Sequence, residues 1–342
     1  MTTAAATASF AYSHTVGFLA YRGRGFIHPI DLALGDDGVM YVLNRGGPES
    51  VGRLEHKRVC VCTVDEGYVG EWGTGGIEDG QFWWASGIAR AADGRLYVTD
   101  EALQRINIFD PDGVFLRYWG EVGDEPGQIN RPAAITVAPD GTLLITDGLN
   151  HRVQRFTTEG EYLDGWGEFG AQAGQFNTPW GLCCDAEGNV LVADWRNDRV
   201  QAFTSSGRFV GQWGTSGEGK GQLSRPSSVA VDGDGYIYVA DWGNERVQIF
   251  APDGEVAAVL HGDATTSAWA EDYLAANPDE SRARREANLV PAVNPWRDHH
   301  RETSARVEAR FWGPTSINVD AQGRIYVVDS CRHRVQVYRK NV

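Results

Sequence analysis

The chain lacks the surplus of positive charge that nucleic acids and anionic membranes reward. Its 342 residues carry 31 Lys and Arg against 46 Asp and Glu, a formal net charge of −15. Neither a nucleic-acid partner nor a membrane partner is therefore expected. No apolar run approaches membrane-spanning length. The stretch from Met1 to His14 has neither a basic start nor an apolar segment, so no secretory leader is expected. Cysteines number five, an odd count without Cys-x-x-Cys spacing, which argues against a disulfide framework and a zinc knuckle. Cys60 and Cys62 share one strand face, Cys183 and Cys184 are adjacent on another, and all read as buried free thiols. A reducing, cytoplasmic setting is the expectation.

What the chain has in abundance is a repeated phrase: an apolar strand ending in Asp, a loop, then Arg-Val-Gln. It reads Asp194-Trp195-Arg196-Asn197-Asp198-Arg199-Val200-Gln201, and again Asp241-Trp242-Gly243-Asn244-Glu245-Arg246-Val247-Gln248. Related versions surround Asp100/Arg105, Asp147/Arg152 and Asp329/Arg334. Each unit opens on a proline (Pro29, Pro132, Pro179, Pro226, Pro314), with Ala85 standing in for the second, and Ala85 to Pro226 runs in steps of 47 residues. Nine residues after each opener comes a glycine in tight-turn company, and fifteen after it the acidic strand end, with Asn44 in the first unit. Most units close on an aromatic strand such as Glu71-Trp72-Gly73. Four short alternating strands per unit, six times over, predict a closed all-β ring of six blades, one domain spanning 1–342. The sixth unit supplies only three strands, so Val16 to Tyr21 is expected to complete it from the N-terminus and remove an exposed edge.

These phrases, together with Gly-Gln-Phe-Asn-Thr-Pro at 174–179 and Gly-Gln-Leu-Ser-Arg-Pro at 221–226, resemble the NHL-repeat family of six-bladed β-propellers. The resemblance covers nearly the whole chain apart from one insertion. It implies the fold and leaves function open, because its members include ligand- and protein-binding modules, RNA-binding domains, lyases and hydrolases. The recurring Asp and Arg read as structural pairs. The peptidyl-hydroxyglycine amidating lyases place zinc-binding histidines directly after the opening proline, and this chain has none there. The gluconolactonase-like propellers hold a divalent metal with inward carboxylates and an Asn, of which Asp31, Asn44 and Glu101 are a partial echo. The cofactor is therefore unknown, and no motif indicates a divalent metal.

Chain direction brings the residues flanking each opener and those following each Asp to one rim, where propellers gather ligands. There the repeats disagree. Trp180, Trp195 and Trp242 fall on adjacent blades and read either as an apolar wall for a ligand or as blade packing. Arg45 sits in a widened loop, Asn44-Arg45-Gly46-Gly47-Pro48, where an arginine can grip a carboxylate or phosphate with two prongs. Glu101, Arg131, Arg196 and Arg225 share the rim and complete the candidate ligand-binding set. An excess of 41 residues, within 262–310, separates the last two openers. It reads as a short helix over 265–276, a second helix over 279–289 and an irregular stretch over 291–301, and is expected to form a lid over the channel mouth. A subunit contact is the alternative. His28, His299 and His300 are then the candidate acid/base groups or metal ligands. Cys331, also on the rim, has no partnered histidine placed by sequence. The expected function is binding of a small anionic, aromatic ligand under this lid, with lyase, hydrolase or isomerase chemistry. A protein-docking scaffold is the alternative, and RNA binding a more distant one.

Overall fold

A computed structural model describes residues 8–47, 53–293 and 299–341. Six four-stranded antiparallel sheets stand around a common channel, their innermost strands neighbouring one another in a closed ring. Blade 1 runs Pro29–Leu34, Val39–Asn44, Arg58–Thr63, Tyr68–Trp72, and blades 2 to 5 repeat it from Ala85, Pro132, Pro179 and Pro226. The glycine nine residues after each opener has φ between 72° and 88°, a left-handed turn that only glycine adopts at little cost. No described helix is long and apolar enough to cross a membrane.

Blade 6 combines Pro314–Val319, Arg324–Asp329 and Arg334–Asn341 with the N-terminal strand Ser9–Val16, antiparallel to the last. The expected span, Val16 to Tyr21, is thus corrected. The strand stops at Val16 because Gly17, at φ 83°, turns the chain toward the next blade with Phe26 packed against it.

The repeated carboxylate is buried scaffold. Asp194 accepts from Asn177 N at 2.7 Å and from Arg199 Nε at 2.9 Å, and Asp241 and Asp329 do the same with Arg246 and Arg334. Each of these arginines also donates to carbonyls of the incoming loop. Burial raises the Asp147, Asp194 and Asp241 carboxyls above the usual range, opposed by these donors. A second device links blade to blade. The left-handed residue two before each Val-Gln turns its side chain to the backbone N–H preceding the next opener. His151 Nδ1 accepts from Thr178 at 3.0 Å, Asp198 from Arg225 at 2.7 Å, and His333 Nδ1 from His28 at 3.0 Å.

Closing tryptophans seal the blade faces. A β-carbon at Gly113 would lie 2.2 Å from Trp72, at Gly160 2.5 Å from Trp119 and at Gly207 2.8 Å from Trp166, so each indole rests on bare backbone of the next blade. The seam between blades 6 and 1 has no such tryptophan, since its closing strand ends in Val16. The insertion supplies one. Helix α1 (Ala268–Ala276), capped by Ser267 Oγ, buries Trp269 to 4% exposure beside Phe26 and Tyr68, with Nε1 donating to Glu66 O at 2.6 Å. Glu66 in turn accepts from Gly17 N and from Ala268 N. Helix α2 (Pro278–Glu286) is largely exposed, and α3 (His300–Arg306) lies on the rim by blade 5. The sequence expectation of an irregular 291–301 is corrected at its end, where the His299 side chain caps α3. Trp296, which falls within that stretch, lies outside the described residues.

Candidate functional site

Asp147, Asp194, Asp241 and Asp329 are each followed by one 3-10 turn, such as Gly148–Asn150, Trp195–Asn197 and Trp242–Asn244, ending in a left-handed residue. This geometry tips the first residue of the turn over the rim, beside the residue that follows the opener. Trp180 and Trp195 therefore meet with ring centroids 5.7 Å apart, and Trp195 meets Trp242 at 6.5 Å. The guanidinium of Arg225 lies 5.2 Å and that of Arg196 5.6 Å from the Trp195 ring.

A cavity of about 560 Å³ opens at this rim over blades 1 to 4, a size suited to a small organic ligand. Six of the sequence candidates line it: Arg45, Glu101, Arg131, Trp180, Trp195 and Arg196. Trp242 and Arg225 stand behind Trp195, outside the lining. The rest of the wall is not among the sequence candidates and includes three large rings: Trp84, 43% exposed, Phe169, 66% exposed, and His151. Trp84 and Phe169 thus leave large aromatic surface open at the mouth of the cavity.

The polar end is a triad. Glu101, 3% exposed, receives Arg45 on one carboxylate oxygen and Arg131 on the other at 3.0 Å. Arg45 also stacks over Trp84, its guanidinium carbon 4.1 Å from the ring centroid. Burial lowers the Arg45 guanidinium to about 10, with Glu101 opposing the shift. Beside it Lys57 donates to the carbonyls of Trp83 at 2.6 Å and Arg45 at 3.3 Å, its ammonium lowered by burial and by the neighbouring Arg45. Three arginines against one carboxylate leave the lining two positive charges to the good. His151 is held by Thr178 N–H on Nδ1, so its neutral ring carries the proton on Nε2. Burial lowers its pKa, and Phe169 packs 4.9 Å away.

The three histidines singled out from sequence are not brought together. His28 sits at the seam between blades 6 and 1, its ring 4.6 Å from that of His333. His299 and His300 lie by blade 5, where His300 Nε2 donates to Gly243 O at 2.8 Å. None of the three lines the cavity, and no described residue of the insertion does. The described insertion braces a seam and flanks the rim, and does not roof the cavity. Burial pushes the Cys331 thiol up to about 11, which disfavours a nucleophilic role. Below the rim a narrower cavity of about 200 Å³ follows the channel, with Trp180 shared between the two. There Asp31 accepts from Ser316 Oγ at 2.6 Å and from Leu32 and Ile88 N–H at 2.9 Å, and burial raises its carboxyl to about 6. Neither Asn44, which binds Ile27 N at 2.8 Å as the first blade's substitute for Asp, nor Glu101 joins Asp31 in that channel.

The NHL-repeat family matches residues 223–250 and 311–338, and the SMP-30/Gluconolactonase/LRE-like region matches 87–218. The chain is a six-bladed β-propeller that carries NHL repeats. No curated protein sequence matches it significantly. Among solved structures, this propeller is similar to a streptogramin B lyase at 13% identity, with 98% of each chain covered and a TM-score of 0.57. It is also similar to a catalytically inactive virginiamycin B lyase from Staphylococcus aureus with quinupristin, at 11% identity, 97% and 99% coverage and a TM-score of 0.57. An auxiliary nutrient binding protein from Bacteroides thetaiotaomicron matches at 11% identity, 97% and 76% coverage and a TM-score of 0.60. At such identities the likeness shows the fold alone.

Proposed function

We propose that this propeller binds a small aromatic anion, of the carboxylate class, in the rim cavity over blades 1 to 4. The observation that carries the reading is the pairing, in one cavity of about 560 Å³, of a net positive end with a tryptophan wall. Arg131, half exposed, is the arm free to reorient toward a ligand; Arg45 is held by Glu101 and Trp84 and fixes the field. Trp84, Trp180 and Trp195 supply apolar contact for a ring. The position of His151 favours a catalytic extension of lyase or hydrolase type, since its Nε2 proton belongs to the only imidazole in the described lining. Streptogramin B lyase and a nutrient binding protein share the fold, so the fold itself is compatible with either activity or binding alone.

The test uses the intrinsic fluorescence of the lining tryptophans. Phenylacetate should quench it saturably, phenylacetamide should bind more weakly, and Arg131→Ala should cost about tenfold in affinity, the value of one charged hydrogen bond. Equal binding of acid and amide, or no change in Arg131→Ala, would remove the anion site. His151→Gln separates binding from turnover: it should spare affinity and abolish any conversion.

A further inference from the structure

We propose that Glu218, His299 and His300 form a site for one divalent transition-metal ion of the zinc class, fastening the end of the insertion to the loop between blades 4 and 5. Glu218 Oε1 lies 3.7 Å from His299 Nε2, and Glu218 Oε2 lies 3.9 Å from His300 Nδ1. One ligand atom from each residue falls within 4.8 Å of the others. Tetrahedral bonds of about 2.0–2.1 Å would place donors about 3.3 Å apart, so the cluster needs to contract by up to about 1.5 Å from its 4.8 Å span. Side chains 58% and 69% exposed, as His299 and Glu218 are, can make that move.

Two features prepare the site. His300 Nε2 donates to the carbonyl of Gly243, which can only accept, so the proton is fixed there and Nδ1 presents its lone pair to the cluster. This outer hydrogen bond is the kind that orients metal-bound imidazoles. Glu218 is equally well mounted, because the scaffold arginine Arg246 grips its backbone carbonyl at 2.7 Å. His299 must give up a long cap contact, 3.4 Å from Arg301 N to Nδ1, and ligate through Nε2 with the proton moved to Nδ1. Two imidazoles and one carboxylate suit zinc and its neighbours rather than calcium, and three protein ligands leave a fourth position open. The site shares no residue with the rim cavity lining, so it stands independently of the ligand proposed there.

Metal-stripped full-length chain, titrated with Co²⁺ and followed by its visible absorption, should bind one equivalent in four-coordinate form that Zn²⁺ displaces. Glu218→Gln, His299→Ala and His300→Ala should each weaken binding at least about tenfold, whereas His14→Ala should not. Zinc should also slow proteolysis within the insertion in the parent chain and not in Glu218→Gln, an exposed change that leaves the fold intact. Unchanged affinity and stoichiometry in all three variants, or no saturable binding at millimolar metal, overturns the proposal.

Discussion

Replacing Glu101 by Gln isolates the electrostatics of the rim. The carboxylate is 3% exposed and neutralises Arg45, itself only 14% exposed, while Arg131 at 50% exposure is held on the other oxygen. Removing one member of a buried pair costs about 3–5 kcal/mol, because the surviving charge stays desolvated. Arg45 retains its stacking on Trp84 and some solvent, which places Glu101→Gln near the low end, about 3 kcal/mol. With each kcal/mol lowering the melting temperature by about 2–4 °C in larger domains, thermal unfolding should begin some 6 °C or more lower. Arg131→Ala, which removes the more exposed partner, should cost less than about 1 kcal/mol. Ligand affinity should move the opposite way. Without Glu101 the lining gains a positive charge, so the surviving variant should bind phenylacetate more tightly while Arg131→Ala binds it less. Differential scanning fluorimetry and fluorescence titration read both effects. An unshifted melting temperature in Glu101→Gln, or weaker anion binding in it, refutes the view of Glu101 as the counter-charge that holds Arg45 in place.

Trp269→Ala should cost about 3–5 kcal/mol in denaturant unfolding, as for other buried aromatic truncations, and should expose α1 to protease; Trp269→Phe should recover most of it. A merely surface-docked helix would show neither effect. Asp31 sets a pH dependence with a definite sign. Its carboxyl is raised from 3.8 to about 6, so the native state holds the proton more tightly than the unfolded chain does. The penalty is complete above about pH 6 and vanishes below about pH 4, a swing of about 3 kcal/mol. The stability of the parent chain relative to Asp31→Asn should therefore rise by that amount as pH falls through this window, and a flat difference in urea titrations would exclude it.

The blade pattern was legible because its signals are local: an opener, a turn glycine, a buried Asp and an Arg-Val-Gln strand at fixed offsets. The rim candidates were legible for the same reason, since Arg45, Glu101, Arg131, Trp180, Trp195 and Arg196 occupy equivalent places in different units and chain direction alone gathers them. The N-terminal strand was misplaced although its phase was readable. Gly17 precedes Pro29 by the same twelve residues that separate Gly73 from Ala85, which puts Val16 where Trp72 stands. Trp269 was out of reach, because its seat exists only once that strand is placed and a closing tryptophan is seen to be missing. His28 drew attention as a rim histidine, yet its position in four of the six units serves a backbone link to the preceding blade. His151 had the converse fate. It belongs to the repeated scaffold phrase, and becomes a cavity wall only because Phe169 and Trp195 from neighbouring turns complete the enclosure.

The seating of Ser9–Val16 beside Arg334–Asn341 has a consequence for how the chain is made. The strand that finishes blade 6 is synthesised ahead of every blade, and its partner is translated after all the others. The ring cannot shut until Arg334–Asn341 has been made. Until then, one free strand and one open sheet edge coexist, a pairing of great sequence separation that favours slow closure and exposes the nascent chain to association with its neighbours. Glu66, bonded to both Gly17 and Ala268, then acts as a latch that sets only after the last blade has arrived.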